Sequence, residues 1–197
     1  MSPAHVVEPT YEAIKRRLMT GGWAPGARLE SAKLAELLGV SVTPVRDCLY
    51  RLAGEHMVDF VHGEGFHAPR LTETGLRDML ELHLILLLAA LATSPRGSGV
   101  PDPPDGDYPD CIAGLFLELA ARSANGELVA CITALGERLH LARSLDEQVI
   151  GGTARELGSL AESLSSGGSE TRNLLLRYHE RRAGEAASYA RLLGGKS

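Results

Sequence analysis

Two short amphipathic stretches meet at Gly39-Val40-Ser41, and that junction constrains this chain more than any other feature of it. Ahead of it, Ser31–Leu38 repeats apolar residues at helical spacing, with Leu34, Leu37 and Leu38 on the expected inner face. Behind it, Ser41 is placed as the N-cap of a helix from Val42 to about Gly54, whose buried stripe is Val45, Cys48, Leu49 and Leu52. Pro44 is tolerated in the first turn, where N–H groups have no intrahelical partner. Gly39 suits the positive φ that stops the first helix. Two short helices joined so tightly make a helix-turn-helix.

The flanks extend this unit. Upstream, a helix opens at Glu8 or Thr10 with Pro9 near its first turn, turns Tyr11, Ile14, Leu18 and Met19 inward, and stops at Gly21-Gly22. Downstream, Met57–Val61 and Gly65–Pro69 are short β-like runs on either side of His62-Gly63-Glu64, a hairpin the size of a wing. From Leu71 onward the chain reads as helix or linker. Thr72 caps a helix to about Thr93, and others follow at about Asp110–Arg122, Gly126–Ser144, Thr153–Leu164 and Glu170–Leu193, the last with a bend at Gly184. Ser94–Pro109, with five prolines and three glycines, reads as a loop, and Ser163–Ser169 as a flexible joint. The expected fold class is mainly α, with a winged helix-turn-helix over residues 1–70 and an all-helical domain over 71–197.

Composition narrows the function. At 197 residues and 44 % hydrophobic, the chain has enough apolar material for a real core. The net charge of −5 argues against a nucleic-acid partner until it is divided. Residues 1–70 hold eight Lys/Arg and eight Asp/Glu, so the whole negative excess lies in the second part. A neutral domain binds DNA when its basic residues share one face. No secretion signal is read at the N-terminus, and the apolar run Leu82–Ala92, interrupted by His83, is too short to span a bilayer. A cytoplasmic protein without a membrane partner is expected. Cys48, Cys111 and Cys131 share no metal or redox spacing and read as small buried hydrophobes. There is no nucleophile elbow, Walker loop, HExxH or dinucleotide fingerprint, so neither an enzyme nor a cofactor is expected. An enzyme would need His83, His140 and His179 to gather an activating metal.

In a helix-turn-helix the second helix enters the major groove, so side chains near its N-terminus must be small or able to donate. Ser41, Thr43 and Arg46 are placed for this, Arg46 with a fork that matches guanine O6/N7. Lys33 lies on the helix that crosses the phosphate backbone, and His62 and Gly63 form the wing tip. The bland alternative, that these residues only hold three helices together, accounts for the leucines but not for Thr43 and Arg46 behind a serine cap.

At these residues the chain resembles a known family. Tyr11-x2-Ile14, Pro25-Gly26-x-Arg28-Leu29 and Leu34-Ala35-x3-Gly39-Val40-Ser41-x-Thr43-Pro44-Val45-Arg46-x2-Leu49-x2-Leu52 look like the DNA-binding domain of the GntR regulators. The resemblance covers about a third of the chain. It implies a contact set of Lys33, Ser41, Val42, Thr43, Pro44, Arg46, His62 and Gly63, with Val42 standing where the family usually has an arginine. Leu115-Phe116-x2-Leu119 and Ala124-Asn125-x2-Leu128 are similar to a stretch of the ligand-sensing domain in the FadR-type branch. That similarity implies a homodimer, a DNA-binding regulator (a repressor) on a pseudo-palindromic operator, and a pocket for a small-molecule effector. The alternative is an effector-independent dimer tuned by a partner protein. The branch's metal ligands fall here on Ile112, Phe116 and positions near Asn173 and Leu193, and its helix-borne arginine on His83, so no metal is expected. The expected pocket residues are His83, Phe116, His140 and His179, with His83 the polar anchor for an apolar or weakly polar effector. Arg177, Arg181 and Arg182, with Glu180 and Glu185, read as a solvated helix face.

Overall fold

The computed structural model of the protein describes residues 4–94, 106–166 and 170–194. Residues 95–105 of the expected loop and 167–169 of the expected joint lie outside the described residues. The chain divides into two compact units, one running to Leu71 and taking in the residues from Leu193, the other Thr72–Leu192.

The first unit holds α1 (Ala4–Met19), α2 (Ser31–Leu38), α3 (Val42–Gly54), β1 (Asp59–Val61) and β2 (Gly65–His67). Tyr11, Ile14 and Leu18 of α1 pack with Leu34 and Ala35 of α2 and with Val45, Cys48, Leu49 and Leu52 of α3. The α3 stripe is as the periodicity predicts. On α2 the inner face differs: Ala35 is buried and Leu37 is 60 % exposed. α1 also begins earlier than expected and carries Pro9 inside it. There, in the second turn, that proline lacks the N–H for one helical hydrogen bond and crowds the carbonyl four residues before it.

α2 stops because Gly39 takes φ +67, which lets its N–H reach Glu36 O at 3.3 Å while Val40 N–H reaches Ala35 O at 3.0 Å. These bonds satisfy carbonyls that the helix end leaves open and turn the chain sharply into α3. The wing strands pair antiparallel, Phe60 opposite Phe66, around a tip where Gly63 takes φ +83. They are shorter than the sequence suggests, because Met57 and Val58 are buried in the core ahead of β1. The sequence reading missed a third participant: Arg28 bridges His67, and Leu29 N–H donates to Phe66 O at 2.7 Å.

The second unit holds α4 (Glu73–Thr93), α5 (Tyr108–Arg122), α6 (Gly126–Arg143), α7 (Asp146–Val149), α8 (Thr153–Ser165), α9 (Thr171–Gly184) and all but the end of α10 (Ala186–Gly194). Thr72 Oγ1 accepts from Gly75 N–H at 3.0 Å, and Asn125 Oδ1 accepts from Glu127 and Leu128 N–H, so both caps are made by side chains. Leu87 and Ala90 of α4, Ile112, Leu115, Phe116 and Leu119 of α5, Ile132 of α6, Leu160 and Leu164 of α8, and Leu175 and Tyr178 of α9 form the core. Three readings change here. The short α7 was not foreseen. Ser163 and Ser165 belong to α8 rather than to a joint. The last helix breaks at Glu185, beside the glycine where a bend was expected. Cys48 and Cys111 are buried, but Cys131 is exposed on the outer face of α6. Among the described residues no helix is long and apolar enough to cross a membrane.

Candidate functional site

Two places concentrate polar side chains in ways that packing alone does not explain. The first is the outward face of α3. Val45, Cys48, Leu49 and Leu52 are sealed in the core, while Thr43 and Arg46, turned away from that stripe, and Val42, at its leading end in the first turn, are exposed. Ser41 sits at the N-cap with φ −78 and ψ 162, but its hydroxyl makes no cap bond. This corrects the expectation that its side chain caps the helix, and it leaves the hydroxyl beside the open N–H groups of the first turn. Pro44 is half-buried, and Thr43 and Arg46 make no hydrogen bond or ion pair among the described residues.

Arg51, on the same helix, is the opposite case. It reaches Glu8 at 3.0 Å and Glu55 at 3.2 Å and lies 3.7 Å from the Tyr11 ring centre, so the fold uses it to tie α1 to α3. Lys33 is exposed on α2 and pairs with Glu30 at 2.7 Å, which lowers the Glu30 carboxyl. His62 and Gly63 are exposed at the wing tip. The wing is braced against α3 by aromatic rings: Tyr50 meets Phe66 edge-on at 4.8 Å and Phe60 at 5.4 Å.

The second place is buried between α4, α5, α6 and α9. The inner stripe of α9 is Leu175, Tyr178, His179 and Arg182, at i, i+3, i+4 and i+7. His179 Nδ1 lies 2.7 Å from Leu175 O, a pure acceptor, so that nitrogen carries the proton. His179 Nε2 is then the acceptor for His83 Nδ1 at 2.9 Å. His83 Nε2 is left bare, facing the Arg143 guanidinium at 3.5 Å. Both tautomers are thus dictated by their neighbours. Burial holds His83 well below the ordinary histidine range, helped by the charge of Arg143, and pushes His179 down to about 3. Both rings are neutral.

Phe116 packs edge-on to His83 at 5.2 Å. The structure therefore brings His83, Phe116 and His179 together. His140 is not in this set: it is half-buried with Nδ1 3.6 Å from Asp110 Oδ1, because α6 turns Leu139 and Arg143 inward instead.

Sequence reasoning missed the ion network beside these rings. Arg182, read as solvated, is 3 % exposed and donates to Asp146 at 2.6 and 2.9 Å, to Glu156 at 2.7 Å and to the Tyr108 hydroxyl at 2.7 Å. Tyr189 donates to the other Asp146 oxygen at 2.6 Å. Burial raises the Asp146 carboxyl and the Tyr108 and Tyr189 hydroxyls, while its anionic partners hold Arg182 charged against burial. The i+7 spacing from Leu175 was the available signal. Of its neighbours, Arg181 does lie outside, paired with Glu156 at 2.8 Å, and Arg177 is exposed.

Arg143 differs from Arg182. It is 2 % exposed, yet its partners are neutral: the Tyr178 hydroxyl at 3.1 Å, Gly136 O at 3.3 Å and His83. No carboxylate stands at ion-pair distance from it among the described residues. A cavity of about 10 Å³ lies beside Arg143, and its lining includes Leu76, Leu80, Leu139, Asp146 and Arg182.

These residues do not fit the divalent metal of the FadR-type branch. Ile112 and Phe116 are core residues, and the His83 and His179 nitrogens that face each other already share a hydrogen bond. The remaining bare nitrogen meets a guanidinium, which repels a cation. Among the described residues no three His, Cys, Asp or Glu side chains are gathered to hold a metal ion.

Comparison with known proteins agrees with the geometry of the first unit. The family model described as bacterial regulatory proteins, gntR family, matches residues 7–67. The chain is 35 % identical over 79 residues to the HTH-type transcriptional regulator McbR of Escherichia coli (strain K12), covering 40 % of this chain and 36 % of that one. It is 30 % identical over 140 residues to the Nta operon transcriptional regulator of Aminobacter aminovorans, covering 63 % of this chain and 67 % of that one. The match thus spans little more than a third of the first relative and two thirds of the second. Among solved structures, a GntR-type protein from Rhodococcus sp. RHA1 superposes with a TM-score of 0.78 at 16 % identity, covering 92 % of this chain and 97 % of that one. Escherichia coli McbR superposes with a TM-score of 0.70 at 21 % identity, covering 94 % and 99 %. At such identities the two structures speak for the fold.

Proposed function

The chain belongs to the gntR family of bacterial regulatory proteins, DNA-binding regulators of transcription, and on that premise we propose that it is a cytoplasmic repressor that grips a pseudo-palindromic operator as a homodimer. The observation that carries the reading is the outward row of α3. Thr43 and Arg46 are polar, exposed and without partners in the fold, on a helix whose other face is sealed. Such a row binds something outside the protein, and its spacing and fork suit base edges. Lys33, Ser41, Pro44, His62 and Gly63 border it as backbone contacts.

One recognition helix reads too few bases for a unique site, and a two-fold dimer reads a two-fold operator. α4 supports dimerisation. Leu80 and Leu87 are consumed by the protein's own core, while Leu82 and Ile85 are 48 % and 55 % exposed and share an outer stripe with Ala89. Footprinting on the DNA upstream of its own coding sequence, with sedimentation of the full chain, tests the reading. A two-fold footprint and a dimer support it; equal affinity of a monomer for a single half-site overturns it.

Release by a small molecule is the regulatory part of the proposal. Its site is the cluster of His83, Phe116, His179 and Arg143. An acidic group on the effector would meet Arg143, whose hydrogen-bond partners among the described residues are all neutral although Asp146 lies within reach of its charge, rather than His83, whose nitrogens are both engaged. Thermal shift with simple carboxylic acids against uncharged analogues separates these two ligand classes. The effector-independent reading is favoured by one observation, the 10 Å³ volume of the cavity, since ligand pockets run to hundreds of Å³. It stands if no compound shifts either the melting temperature or operator affinity.

A further inference from the structure

Hydrogen bonding to bases does not account for Val42. It opens α3, is 42 % exposed, and stands between the polar Ser41 and Thr43. The core does not need it, because Val45, on the next turn, is fully buried and anchors this end of the helix. Arg46 follows Val42 at i+4, so the two exposed side chains are neighbours on the helix surface, Val42 at the rim of the buried stripe.

An isopropyl group at the leading end of a recognition helix gains only where it meets apolar surface. On the floor of the major groove that surface is the thymine C5-methyl. Placed against a cytosine N4–H or a guanine O6 it would strip water from a polar group and return no bond.

Resting on the reading that α3 enters the major groove, we propose that Val42 is a specificity-determining residue that reads a thymine methyl in each half-site. Four residues of helix span about 6 Å, and base pairs rise about 3.4 Å. The thymine read by Val42 therefore lies within a few base pairs of the guanine read by Arg46.

The test uses the full chain and the operator found by footprinting. Each thymine of the half-site is replaced in turn by deoxyuridine, which removes the methyl and nothing else. For the unmodified protein, one position per half-site loses affinity by about fourfold, the worth of one buried methyl, and the other positions change little. In Val42→Ala, which keeps one methyl and whose fold is checked by its melting curve, the penalty at that position shrinks, and in Val42→Asn it disappears, while discrimination through Arg46 persists. The proposal is overturned if no thymine responds, or if the same thymine responds undiminished in both variants. Failure of the underlying reading looks different: neither protein would then separate the operator from a scrambled duplex, Arg46→Ala would change nothing, and the methyl assignment would fall with it.

Discussion

Arg46 and Arg182 are the same side chain in opposite circumstances. Arg46 stands on the outward face of α3 with no partner in the protein, whereas Arg182 lies on the inward face of α9 with every donor group engaged. A guanidinium kept in water costs the fold nothing and stays available to a ligand. One taken out of water must be compensated internally, and is then unavailable. On the proposed function, the free charge of Arg46 marks where this molecule would meet DNA, while the satisfied charge of Arg182 holds the helical unit in one arrangement. Arg143 falls between the two, buried and close enough to Asp146 for its charge to oppose the burial that raises that carboxyl, yet without a carboxylate in direct contact among the described residues, and for that reason it anchors the effector proposal.

The strongest way to break this contrast is at the buried end. Arg182→Ala strands Asp146, which is 1 % exposed, and is expected to cost about 3–5 kcal/mol of stability, read from urea unfolding. A loss below about 1 kcal/mol would show that water already reaches the network.

Next in size is pH. Both buried histidines have folded pKa values below their unfolded ones, so the unfolded chain takes up protons that the native chain refuses. Their stabilising contribution is present above the unfolded histidine pKa, near 6.5, and is lost as pH falls toward their depressed values. The expected loss between pH 7 and pH 5 is about 2 kcal/mol per histidine. Glu147, lowered chiefly by its Thr153 hydrogen bonds, adds to the loss on further acidification, and Asp146, raised by burial, opposes it. A urea midpoint unchanged between pH 7 and pH 5 would mean the rings are hydrated rather than dry.

Arg46→Ala sharpens the exposed end. It is expected to leave the melting temperature in place and weaken operator binding by about 1–3 kcal/mol, with relaxed preference at one base pair. A change in stability instead would make Arg46 part of the fold. Lys33→Ala is the smallest change. Its pair with Glu30 is a surface contact of little worth to stability, and its loss should weaken all duplexes alike and reduce the salt slope by about one. Titration of binding against salt on operator and scrambled DNA separates the two arginine and lysine effects.

By itself the sequence determined what is local. Hydrophobic spacing marks the buried stripe of α3, glycine at residue 39 marks the turn, and the short β-like runs mark the wing, because each depends on neighbours within a few residues. The helices of the second unit were legible for the same reason, apart from the four-residue α7, too short to show a period. The burial of Arg182, the tautomers of His83 and His179 and the departure of His140 from the set were decided only by tertiary structure. Arg182 meets Asp146 from 36 positions away and His83 meets His179 from 96. The third wing participant, Arg28, joins His67 across a similar gap. Periodicity tells which face of a helix turns inward, but it carries no information about which other face it meets. A charged residue at the edge of an apolar stripe reads as solvated until packing brings it a counter-charge and closes the water out.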